Sequence, residues 1–234
     1  MKYVLVVCGM LLAWGARAAE GAVALGDSAA AKRVRIVRAG AILRDPAVTG
    51  AQRLVGDVVL AHRDAELRCD SAWRYDDGRF RAMGRVVAER PGEWVMRADE
   101  LEWDPVAERM DAFGAPVRFE EAELVVTGPI LRYGWVDEVA WFPERAELRA
   151  DGQSAVADRG RFEVPSGWLT LGGNVVVSGD GERVDSDSLR VHVEEGDVVF
   201  LGRSLVRGED GEWGVRCERG EWGDGAGWRR WTRP

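Results

Sequence analysis

From Leu54 onward the chain repeats itself every 29 residues or so, and a repeat of that length limits the available folds more than any other feature. One column is a glycine ahead of a short apolar run: Gly56, Gly84, Gly114, Gly173 and Gly202, with one member missing near Glu144. A second column is a large apolar residue: Tyr75, Trp103, Tyr133, Phe162, Val191 and Trp222. Four residues before each of these stands Ser71, Asp99, Pro129, Asp158, Asp187 or Glu218, mostly small or acidic. The columns share one period, so about six units follow one another without a spacer.

Within each unit the pattern is strand-like. Leu67, Cys69, Ser71, Trp73 and Tyr75 alternate with Glu66, Arg68, Asp70, Ala72 and Arg74, and Leu189, Val191 and Val193 alternate with Arg190, His192 and Glu194. Period-two alternation means one face buried and one face wet. Turn residues that tolerate positive φ separate the runs, as in Asp76-Asp77-Gly78, Glu194-Glu195-Gly196 and Gly208-Glu209-Asp210-Gly211. No stretch after the leader sustains helical spacing with caps. The expectation is an all-β fold of about 12–16 antiparallel strands, whose units bury their apolar faces together because none can do so alone. A closed barrel, a solenoid and a folded-over open sheet all satisfy the pattern.

The expected interior runs through Val58, Leu60, Leu67, Trp73, Tyr75, Phe80, Val86, Leu101, Trp103, Val117, Phe119, Leu124, Val126, Leu131 and Tyr133. It continues through Leu148, Phe162, Leu169, Val175, Val177, Leu189, Val191, Val198, Phe200 and Trp222.

The chain opens like a secretory signal: Lys2, an apolar run from Tyr3 to Gly15, and the small-x-small sequence Ala16-Arg17-Ala18. That run is shorter than the ~20 residues of a spanning helix. Val7 precedes Cys8 where lipidation needs a small residue. The expected organisation is a signal peptide at 1–18, an Ala/Gly-rich linker at 19–32, a repeat domain at 33–227 and a short tail at 228–234. Trp228 and Trp231 in that tail read either as a frayed end or as a contact to a membrane surface or partner.

A formal charge of −8 argues against nucleic acid as a partner, since such binding needs an excess of basic contacts. Catalytic chemistry is not legible either. His62 and His192 stand in different units without a second histidine at metal spacing, and His62 reads as a solvated strand end. Asp185-Ser186-Asp187 reads as a solvated strand start before it reads as a cation site, and Asp76-Asp77 as turn chemistry. No nucleophile motif, metal-ligand set or cofactor fingerprint stands out, which points away from an enzyme.

The phrase Leu54-Val-Gly-Asp-Val-Val-Leu-Ala-His62, followed by Leu67-Arg-Cys-Asp-Ser-Ala72 and Ala82-Met-Gly-Arg-Val86, resembles the OstA-like family, related to the LptA periplasmic lipopolysaccharide-transport protein. Asp185-Ser-Asp-Ser-Leu189 and Phe200-Leu-Gly202 fit the same theme. The resemblance implies a V-shaped β-jellyroll, open along one side, with an apolar groove. It implies a periplasmic protein, free or associated with the outer membrane, that carries lipopolysaccharide or lipid A toward the outer membrane. The implied partners are other jellyroll proteins of a transport bridge, including an outer-membrane translocon, or further copies of the chain joined head to tail.

The groove candidates are Leu67, Trp73, Leu101, Trp103, Val117, Phe119, Leu131, Tyr133, Phe162, Leu189 and Val191. The other readings are a non-catalytic scaffold that pairs through its sheet ends and, third, an enzyme acting on envelope lipid or glycan.

Cys69 and Cys217 occupy nearly equivalent places in the first and last units. Strands lie about 4.8 Å apart, so five repeat steps separate them by at least ~24 Å, far beyond the ~5.5 Å Cα separation of a disulfide. Cys69 should be a buried thiol on the inward side of its strand. Alkylation of unfolded, unreduced monomer should modify both cysteines; a Cys69–Cys217 cross-link found by mass spectrometry would refute the repeat register.

Overall fold

The computed structural model describes residues 34–44, 48–179, 181–208, 214–223 and 227–232. The expected leader and linker, and the side chains of Trp228 and Trp231, lie outside the described residues. Apart from a single 3-10 turn at Val164–Ser166, the regular structure is all β. It begins with β1 (Arg35–Arg38), β2 (Ala41–Leu43), β3 (Ala51–His62), β4 (Ala65–Tyr75), β5 (Phe80–Arg90) and β6 (Trp94–Asp104). Next come β7 (Arg109–Glu121), β8 (Leu124–Gly134), β9 (Val139–Phe142), β10 (Ala146–Ala150), β11 (Gln153–Ala157) and β12 (Arg159–Glu163). The last are β13 (Trp168–Gly179), β14 (Glu182–His192), β15 (Val198–Phe200), β16 (Ser204–Gly208), β17 (Gly214–Cys217), β18 (Arg219–Gly223) and β19 (Gly227–Thr232).

All pairings are antiparallel, and the chain meanders through one sheet. From β3 to β8 each strand pairs with the next. Five positions of the ladder are each occupied by two short strands end to end: β1/β2, β9/β10, β12/β11, β15/β16 and β18/β17. Thus β8 pairs with both β9 and β10, β13 with both β11 and β12, and β14 with both β15 and β16. These splits explain why nineteen strands occupy a ladder that the repeat pattern counts at 12–16. Strand β19 pairs with β18, so the sheet continues past the boundary expected at 227.

The splits fall where intact strands carry a bulge. Register shifts between Val55 and Val58, Met83 and Val86, Phe113 and Val117, and Gly172 and Val175. The glycine column sits at these points. Gly56, Gly84 and Gly173 have φ near +75 to +79°, and the next residues, Asp57, Arg85 and Asn174, are also left-handed at +45 to +47°. A bulged pair in this conformation bends its strand and adds twist, which glycine allows at least cost. Where the column fails, at Glu144, strand pairing stops between Phe142 and Ala146 and the bend is made by a break. Gly202 stands in a similar break between β15 and β16.

The acidic column faces these bends. Asp70 accepts from Arg85 (Nε to Oδ1 2.9 Å), Asp99 from the backbone N–H of Ala115 (3.1 Å), Asp158 from Asn174 (2.6 Å) and Asp187 from Arg203 (3.1 Å). Each carboxylate thus holds the residue that follows the bend of the neighbouring strand. In the first unit the pairing places Asp70, not Ser71, in this column. The Arg85 guanidinium holds the Asp70 carboxyl below its ordinary range.

In the strands that lie opposite a glycine bulge the bend also inverts the inward parity, whereas β5, which carries its own bulge, keeps Phe80, Ala82, Val86 and Ala88 on one parity. In β4, Cys69 and Ala72 are both buried, and in β6, Ala98 and Leu101 are both buried, although an unbroken alternation would oppose them. Ala72 pairs with Ala82, which pairs with Leu101, and Arg74 pairs with Phe80, which pairs with Trp103. Trp73 and Tyr75 therefore stand on the other face, contrary to the straight alternation expected of β4. Trp73 lies under the Arg53 guanidinium at 5.8 Å. The remaining expected interior residues join one continuous core or pack against it.

The line of bends divides the sheet into two halves whose inward faces meet. One half carries the turns at 63–64, 91–93, 122–123 and 151–152; the other carries those at 76–79, 105–108, 135–138 and 164–167. This is the folded-over sheet among the three architectures that the repeat allowed. Gly84 tests the bend directly, because a Cβ there would lie 2.6 Å from Asp70 Oδ2, whereas the left-handed Gly92 has open space. Gly84→Ala should cost at least about 1 kcal/mol more in urea unfolding than Gly92→Ala, which pays only the ~1–2 kcal/mol of left-handed backbone. Equal midpoints would remove the carboxylate-to-bend contact from the account.

Candidate functional site

The space between the half-sheets is filled at one end and open at the other, and side-chain size decides which. In the N-terminal part, Trp94 and Phe119 of the first half meet Trp103, Tyr133 and Trp135 of the second. Ring centroids lie 4.8 Å apart for Trp94–Tyr133 and 5.8 Å for Trp94–Trp135. His62 sits 4.4 Å from Trp103 and 5.1 Å from Trp135. It is buried, not the solvated strand end that its position after an apolar run suggested. Aromatic rings fill a gap of this width, and only a cavity of ≈ 30 Å³ remains beside His62. That is about the share of one water molecule.

The mouth of this part is clasped by ion pairs between turns of opposite halves. Arg63 Nη2 lies 2.6 Å from Glu108 Oε2, and Arg63 Nη1 donates to the carbonyl of Trp135 at 3.4 Å. Arg90, largely buried, reaches Glu138 of the other half at 2.6 Å while also holding Asp64 at 2.7 Å and Glu93 at 2.9 Å.

Further along the sheet the facing residues shrink. The first half offers Ala150, Ala155, Val177, Val184 and Val206; the second offers Leu169, Leu189, Val191, Val198, Phe200 and Trp222. Between them lies a cleft of ≈ 440 Å³, within the ~300–1,000 Å³ range of ligand pockets. A second opening of ≈ 530 Å³ forms its mouth, bordered by residues 121–123 and 150–151 of one half and by 164–167 and 192–195 of the other.

The structure distributes the groove candidates unevenly. Leu101, Trp103, Val117, Phe119, Leu131, Tyr133, Phe162 and Leu189 are buried in the core, and Leu67 and Val191 pack against it. Leu67, Leu101 and Trp103 border the small cavity, whereas Leu189 and Val191 line the open cleft. Trp73, on the opposite face, faces neither. Trp135 was missed by sequence reasoning because it stands in a turn, where no alternation marks it. Val184 and Val206 were missed because valine in a strand carries no sign that its neighbour across the gap is small.

The other polar candidates have structural work. Asp185 pairs with Arg183 and Arg207, which lower its carboxyl from the ordinary range, Arg183 most. Asp187 pairs with Arg203, and Ser186 turns inward to Ser204 at 2.8 Å. Asp77 accepts from the backbone N–H of Arg79 at 3.1 Å, closing a turn. His192 Nδ1 accepts from the Glu195 N–H at 3.1 Å, and its ring meets Trp168 edge-on at 5.1 Å. Cys69 and Cys217 are free and buried, and burial pushes the Cys69 thiol up to about 11. Among the described residues no three His, Cys, Asp or Glu side chains are grouped to hold a metal ion.

Fold and site together define an all-β protein built as a folded sheet around an apolar interior. A family model described as OstA-like protein matches residues 31–187. The chain belongs to the OstA-like protein family. A search of curated proteins returned no match. Among solved structures, the chain is similar to LptH from Pseudomonas aeruginosa, described as the LptA-homologous periplasmic component of the conserved lipopolysaccharide transport device. Identity is 15%, coverage is 57% of this chain and 79% of that one, and the TM-score is 0.29. A likeness of that size adds nothing to the strand pairing itself.

The clasp makes a measurable claim. Arg90→Met should lower stability by about 1–2 kcal/mol, more than the 0.2–1 of an exposed pair, because Arg90 is mostly buried and holds three carboxylates. The loss should appear in urea unfolding, together with a shift in tryptophan emission as the aromatic cluster loosens. A variant as stable as the parent, with unchanged emission, would mean that the ion pairs do not hold the halves together.

Proposed function

We propose that the chain is a non-catalytic periplasmic carrier that holds the acyl chains of lipopolysaccharide, or of its lipid A part, on the way to the outer membrane. The observation that carries this reading is the cleft between the half-sheets, open to solvent and lined by Leu169, Val177, Val184, Leu189, Val191 and Phe200 together with polar side chains such as Gln153, Ser154 and Glu182. Each acyl methylene buried there contributes about 0.8 kcal/mol. A stacked sheet lets such a trough run across successive strands without exposing backbone polar groups, because every strand in it is paired on both sides. Membership of the OstA-like family supports the same reading. Energy for directional movement would come from partners, since the chain carries no phosphate-binding loop.

The cargo site proposed here is narrower than the groove read from the sequence. It comprises Leu189 and Val191 with Val177, Val184, Phe200 and Val206, while Leu101, Trp103, Phe119 and Tyr133 form the filled part.

A second reading rests on a different observation. Val37, Ile42 and Leu43, on strands β1 and β2 that pair only with β3 among the described residues, are 49–58% exposed. An exposed apolar edge invites strand pairing with another jellyroll protein, an outer-membrane translocon or a second copy, as a bridge component or scaffold requires. The two readings are compatible in one molecule, and the cleft separates them because a pure scaffold has no use for it. Photo-crosslinking residues introduced at Phe200 and Val184 should capture lipid A in the envelope, whereas one at Phe119 should not. Adducts at Phe119, or none at Phe200 and Val184, would contradict the proposed site.

A further inference from the structure

A lipid held with its acyl chains inside the folded sheet and its polar part in water is threaded through the slot between the two rims. To move along the trough it needs space between the half-sheets and an unobstructed slot at every strand it passes. Over β3–β8 the structure offers neither. Inside, Trp94, Phe119 and Tyr133 are at most 2% exposed, and the residual cavity of ≈ 30 Å³ holds about one water. Across the slot run the Arg63–Glu108 and Arg90–Glu138 ties.

The ties and the filling are one assembly. Arg63 donates to the carbonyl of Trp135, and the Trp135 N–H donates to the carbonyl of Glu108 at 3.0 Å. The Trp135 ring meets the rings of His62, Trp94, Trp103 and Tyr133. Loosening the slot at this point means withdrawing Trp135, and with it the packing of those four rings.

The backbone marks the same division. Arg63, Glu108 and Glu138 stand at left-handed turn positions, with φ of +52°, +45° and +49°. Glycine takes this conformation by default, and other residues rarely do. At the next two turns of the same rim as Glu108 and Glu138, over the cleft, the left-handed position holds Gly167 and Gly196. The rim thus accepts a strained backbone where a carboxylate reaches across the slot. Over the cleft, residues 121–123 and 150–151 face residues 164–167 and 192–195, and no ion pair between described residues spans the slot. Room and access coincide in this part alone.

We infer that lipid enters and leaves this chain through one port, the slot over the cleft, and never travels past Trp135. The inference rests on the lipid-carrying function proposed above and specifies its route. A donor and an acceptor of lipid must reach the same part of the molecule by turns. Delivery at one end of the sheet and withdrawal at the other is not open to this chain.

The test uses the full chain and lipid A supplied in phosphatidylethanolamine vesicles, with bound lipid counted by native mass spectrometry. In one arm, a photo-crosslinking residue at Phe200 fixes a first lipid A covalently in the cleft, and deuterated lipid A is then offered. The captured chain should take up no second lipid, because its port is filled. A second lipid on the captured chain shows another way in and overturns the inference. So does the absence of capture at Phe200 in a chain that binds lipid.

In the other arm, Asp64→Cys/Ala107→Cys, in a background with Cys69 and Cys217 replaced, is tied by a short bifunctional thiol reagent. The tied protein is compared with its own untied form, which removes the effect of the substitutions themselves. Uptake, and release to lipid-free vesicles, should proceed at the untied rate. A fall of about tenfold or more in either, as expected when a gate on the route is locked, overturns the inference and leaves the carrier function standing. Failure of the unmodified chain to take up any lipid A overturns both.

Discussion

The long strands of this sheet bend along one line, and at four of the bends the contact that fixes the turn is short and local: the residue after a bulge or break is held by a carboxylate on the preceding strand. Without it a chain of this composition would form a flat, one-sided sheet with an apolar face in water, which is an aggregation surface and not a fold. The bend brings that face against itself. In β4 and β6 it also switches the inward parity, so Cys69 and Ala72, or Ala98 and Leu101, serve the same interior from either side of the bend. The core, the cleft and the rim all follow from where the bends fall.

Once the halves face each other, side-chain volume decides what lies between them. Tryptophan, tyrosine and phenylalanine span the gap at the N-terminal end and leave room for one water; alanine and valine fail to span it further on. The electrostatics of the rim agree with the packing. Opposite charges clasp the filled end, where the halves are already in contact. One fold thereby holds a filled end and an open end, and the repeat supplies both by changing residues and not topology.

Much of this was legible in the sequence, and what was not has identifiable causes. The period of 29 residues and the alternation gave the strands, the antiparallel order and most of the interior, because these depend on hydrophobic pattern alone. The glycine column marked the bends, yet the consequence of a bulge for parity went unread. Straight alternation puts Tyr75 and Ser71 in columns that belong to Arg74 and Asp70, and puts Trp73 in an interior that it does not face. His62 reads as solvated because an imidazole at a strand end gives no sign of Trp135, which reaches it from a turn far along the chain. The groove candidates were spread evenly along the chain because equivalent positions in a repeat look alike. Whether a position is filled or open depends on the volume opposite it, on a strand far away in sequence.

The carrier role requires a trough that is closed at one end and responds to lipid at the other. Spin-label pairs across the rim test it most directly, in a background with Cys69 and Cys217 replaced: Asp64→Cys with Ala107→Cys over the clasped end, and Ala122→Cys with Glu194→Cys over the cleft. Electron–electron distance measurements with and without lipid A should show a distribution over the clasped end that does not change. Over the cleft, the distribution should shift and narrow when lipid is added. A clasped pair that moves with lipid, or a cleft pair indifferent to it, would contradict the division of the trough on which the function rests.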